Sequence, residues 1–100
     1  MDESTLAGEF RHFGANKFVV YVFGHKRGMT PDEITASQES KEFFLKSLDG
    51  ILAQELPKGE LTDAVKQFVE HARNTDWTNK KAYMALYAEY DGVHRLAVKY

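Results

Sequence analysis

The 100-residue sequence has no cysteine, which excludes a disulfide framework and a cysteine-ligated zinc site. That composition suits a reducing compartment, and cytoplasmic is the location expected. Charge of either sign is hardly in excess. Thirteen Lys and Arg against fifteen Asp and Glu give a formal charge of −2. Nothing in that balance draws the chain toward nucleic acid or an anionic membrane surface. Long apolar runs are missing too: the longest, Phe18 to Phe23, is too short to span a bilayer. The opening MDESTLAGEF is acidic and lacks the apolar stretch of a secretory signal. No GxxxxGK[ST], GxSxG or HExxH motif occurs, so the common signatures of phosphate, acyl and zinc chemistry are absent.

What is present suits one soluble domain spanning 1–100. Apolar residues make up 43% of the chain and charged residues 28%, which is ordinary for a globular fold. Thirteen aromatic residues supply much of the area available for burial. No repeat or low-complexity linker divides the chain.

Residues 1–16 read as an N-terminal arm or short helix. Ser4 can cap it, Leu6, Phe10 and Phe13 share a face, and Gly14 supplies a stop. Lys17 to Phe23 is β-branched and aromatic throughout, the composition of a strand. A loop follows, and Thr30-Pro31-Asp32-Glu33 starts a helix with a cap, a proline at the first position and two acids in the first turn. That helix is expected to reach about Leu56, where Pro57-Lys58-Gly59 ends it. Phe44, Leu48, Ile51 and Leu52 form its apolar stripe, with Leu45 beside it. A second helix from about Glu60 to Arg73 carries Leu61, Ala64, Val65, Phe68 and Ala72 on one narrow arc.

The last eighteen residues carry the most local information. Asp91-Gly92 lies between two runs of alternating polarity and predicts a two-residue hairpin, whose turn positions need φ > 0. Tyr90 then pairs with Val93, and Met84, Leu86, Ala88, Arg95, Ala97 and Lys99 share their face. The opposite face holds Tyr83, Ala85, Tyr87, Glu89, His94, Leu96, Val98 and Tyr100, with Glu89 opposite His94. A competing reading is a third helix, since Ala82 to Glu89 is rich in helix formers and Thr78 could cap it. The Asp-Gly pair and the even arm lengths favour the hairpin. The expected fold is therefore α+β, in the order (α)-β-α-α-β-β. A three-stranded, largely antiparallel sheet (one N-terminal strand plus the C-terminal hairpin) packs on two helices.

Such a sheet has more apolar surface than two helices can cover. The N-terminal helix could close it, two copies could pair as a homodimer, or another protein could occupy it. The reading is a small non-enzymatic interaction module: a regulator, inhibitor or accessory subunit. Its expected contact set is Tyr21, Phe23, Met84, Leu86, Tyr90 and Val93. Trp77, alone in the polar stretch NTDWTNKK, is either a further anchor or a lid over the end of the core.

The alternative function is binding of a phosphate-bearing ligand or nucleic acid. The basic loop 24–30 with Arg11, His25, Lys26 and Arg27 would carry it, although the overall charge makes nucleic acid the less expected partner. Asp32 and Glu33 at the adjoining helix start oppose an anion there. His12, His25, His71 and His94 lack ligand spacing, so no metal is expected, and nothing in the sequence implies a cofactor.

Overall fold

The structure, a computed structural model, describes residues 1–16, 31–77 and 79–100. Four helices make up the regular structure among these residues: α1 Glu3–Asn16, α2 Pro31–Leu52, α3 Glu60–Asn74 and α4 Lys80–Val98. The described part is all-helical, which overturns the α+β expectation. Two of the three expected strands, the arms around Asp91-Gly92, are one continuous helix, so the expected C-terminal hairpin of the sheet does not form. The first expected strand, Lys17 to Phe23, lies outside the described residues, as does the loop 24–30.

Helix wins at the C-terminus because of what it buries. Leu86, Tyr90, Val93 and Ala97 fall at successive spacings of four, three and four, one face of a 3.6-residue turn, and each is at most 6% exposed. Fully burying side chains the size of Leu, Tyr and Val stabilises by about 1.5–3 kcal/mol each. Against this, Gly92 costs roughly 1 kcal/mol in a helix interior. Its φ is not positive, so the Asp-Gly pair makes no turn here. Gly92 is exposed, and Asp91 bonds Arg95 at 3.0 Å one turn on. The helix starts at Asn79, whose side chain accepts from the Ala82 N–H at 3.1 Å and satisfies one free donor of the first turn.

The other helices follow their sequence patterns more closely. In α1, Leu6, Ala7 and Phe10 are buried and the helix runs through Gly14 to Asn16. Its cap is Asp2 rather than Ser4: the Asp2 carboxylate accepts from the Thr5 N–H at 2.7 Å. That bond, foremost, holds the Asp2 carboxyl below its ordinary pKa. The helix α2 starts at Pro31, continues through Ser37 and ends at Leu52, a turn short of Leu56. Phe44, Leu48 and Ile51 are its buried stripe. On α3 the buried set is Leu61, Thr62, Val65, Phe68, Val69 and Ala72. Thr62 is the polar member, and its hydroxyl donates to the Pro57 carbonyl at 2.7 Å.

The helix α4 packs against both α1 and α3, α1 also touches α3, and α2 lies on α3. Contacts fix the directions. Phe10 and Phe68 both meet Tyr90 near the middle of α4, while Glu3 and Glu60, at the starts of α1 and α3, lie close to Tyr100 beyond the end of α4. Accordingly α1 and α3 both run antiparallel to α4. Phe68 is the centre of the core. Its ring is edge-on to Phe10 (5.9 Å between centroids, 85°) and to Phe44 (6.0 Å, 84°), and lies 5.9 Å from Tyr90. One ring on α3 therefore meets a ring from each of the other three helices.

Candidate functional surface

The residues expected to form a partner surface separate into inside and outside once α4 is a helix. Leu86 is 3% exposed, Tyr90 4% and Val93 6%, and all three belong to the core rather than to a sheet face. Met84 is 47% exposed and stands on the opposite side of the same helix. Tyr21 and Phe23 lie outside the described residues.

Trp77 is a lid, not an exposed anchor. It is 2% exposed, its ring meets Phe44 at a tilt with 5.2 Å between centroids, and its indole Nε1 donates to the Ala72 carbonyl at 3.1 Å. The segment Asn74–Trp77 closes the end of α3 with its own side chains. Asn74 Nδ2 donates to the Glu70 carbonyl, Thr75 Oγ1 to that of His71, and Trp77 to that of Ala72. Lys41 of α2 then donates to the Thr75 carbonyl at 2.7 Å. The last carbonyls of a helix lack intrahelical donors, and here side chains of the final helical residue and of the segment after it donate to carbonyls of the last turn. The polar composition of this stretch thus serves capping.

Of the residues expected to hold an anion, Arg11 alone is among those described. Arg11 lies on α1, partly buried, its Nε donating to the Ala7 carbonyl at 3.3 Å. His25, Lys26 and Arg27 lie outside the described residues. The described histidines, His12, His71 and His94, take separate places. His12 is exposed on α1. His94 sits on the Tyr90 ring, 5.9 Å between centroids. His71 of α3 faces Glu89 of α4, with Nδ1 2.7 Å from both carboxylate oxygens. The hairpin would have paired Glu89 with His94; helical spacing turns these two side chains to different flanks of α4 instead. No group of three or more metal-ligating side chains occurs among the described residues. None of the described helices is long and apolar enough to cross a membrane.

Burial and electrostatics act on Tyr90. Its phenol is pushed up to about 12, chiefly by burial and further by neighbouring Tyr87 and Asp91. Tyr100 is also raised, by desolvation first and then by the charges of Glu3 and Glu60. Neither effect readies a group for proton transfer near neutral pH.

The outward faces of α3 and α4 differ in kind. On α3 the exposed positions are Glu60, Asp63, Lys66, Gln67, Glu70, His71, Arg73 and Asn74, every one polar. On α4 the exposed side carries Met84, Ala85, Ala88, Gly92 and Val98, with Val98 56% exposed. Lys81 lies toward one end of this side, Arg95 and Lys99 toward the other, and Arg95 is engaged by Asp91. Small side chains at Ala85, Ala88 and Gly92 leave the backbone accessible to close approach; a Cβ added at Gly92 would meet no atom within 4 Å. Sequence reasoning named Met84 and missed its setting, because alternation assigned Met84 and Leu86 to the same face. Comparison with protein-family models, curated proteins and solved structures finds no match to this chain.

Proposed function

We propose that this chain is a non-enzymatic helical interaction module that binds another protein, or a second copy of itself, through the outer face of α4. It would act in the cytoplasm as a regulator, inhibitor or accessory subunit. The observation that carries the proposal is the exposure of Met84 and Val98 beside Ala85, Ala88 and Gly92, on a helix whose other side is core. Methionine adapts its shape to a partner, and small neighbours allow a second helix to approach at the 8–10 Å typical of packed helices. Lys81, Arg95 and Lys99 would lie at the rim, where charges steer association more than they strengthen it.

The test is site-specific photocrosslinking in cells. A photoreactive phenylalanine analogue replaces Met84 or Ala88 in one pair of proteins and Gln67, on the polar face of α3, in a control. A discrete adduct from positions 84 and 88 but not 67 is the expected result, and Ala88→Glu introduced beside position 84 should abolish it. Equal labelling at all three positions, or none, refutes the assignment. Sedimentation of the purified protein with and without Ala88→Glu then distinguishes self-pairing from a different partner.

A further inference from the structure

No further inference is drawn: the strongest candidate, the sparsely charged outer face of α4 around Met84 and Ala88, belongs to the surface already described, and nothing in the structure shows what covers it.

Discussion

The Tyr90 ring lies 5.9 Å from the Phe68 ring, tilted by 53°, and through this contact α4 is seated on α3. Tyr90 also meets Phe10 of α1 at 5.5 Å, so a single side chain joins three helices. Both contacts are made with residues 80–98 helical, where Leu86, Tyr90, Val93 and Ala97 form the buried stripe and Met84, Ala88, Arg95 and Lys99 stay exposed.

Gly92→Ala should stabilise the protein by about 0.5–1 kcal/mol in urea unfolding. Gly92 is exposed, helical and free of any atom within 4 Å of an added Cβ. A hairpin turn would give the opposite sign, since alanine resists the positive φ that such a turn requires. A loss of stability therefore returns residues 83–100 to a hairpin.

Leu86→Lys and Met84→Lys should behave oppositely, although they lie two residues apart. Leu86 is 3% exposed, and a charge placed there should destabilise by at least about 3 kcal/mol, enough to unfold much of the population. Met84 is 47% exposed, and its replacement should stay within about 0.5 kcal/mol of the original. Thermal melts followed by far-ultraviolet circular dichroism decide the matter. Similar effects at the two positions would contradict the orientation of α4.

Trp77, the sole tryptophan, should report its own burial. Its fluorescence should be blue-shifted and resist acrylamide quenching until the protein unfolds. Trp77→Phe should cost about 1–3 kcal/mol, combining lost packing against Phe44 with a lost donor to the Ala72 carbonyl. Free quenching in the folded protein would place the indole outside.

Alkaline stability should depend on Tyr90. Its folded pKa, about 12, lies above the ordinary 10.0 of an unfolded chain, so the folded state holds the phenol proton more tightly. The stabilisation is complete below about pH 10 and is lost as pH rises through about 12. A two-unit difference corresponds to at most about 3 kcal/mol. Spectrophotometric titration of the tyrosines should show one group ionising near pH 12 that disappears in Tyr90→Phe. Tyr100 is raised too, so a smaller alkaline slope should survive the substitution. An unchanged titration curve in Tyr90→Phe would be the contrary result.

The sequence by itself determined three helices and much of their buried stripes. Pro31 opens α2, the Leu61–Ala72 arc fills the core side of α3, and Leu6 and Phe10 mark the buried side of α1. Even the hairpin reading placed Leu86, Tyr90, Val93 and Ala97 together on one face, and those four are the buried side of α4. The coincidence has a geometric cause. Positions 90 and 93 face the same way across a two-residue turn and also three residues apart on a helix. That face was read as a partner surface, however, and where the two periods differ alternation put Met84, Ala88, Arg95 and Lys99 on it as well, whereas the helix leaves those four exposed and buries the others.

Only the tertiary structure decided between those readings. An isolated Asp-Gly favours a turn locally by roughly the cost of one glycine in a helix, whereas the helix docks the four-residue stripe onto Phe10 and Phe68 without taking Arg95 and Lys99, which share its hairpin face, out of water. The same long-range packing drew Trp77 inward to close α3 and left Met84 outside. Spacing grouped the residues that share a face, and which of those faces became core was settled by which helices met.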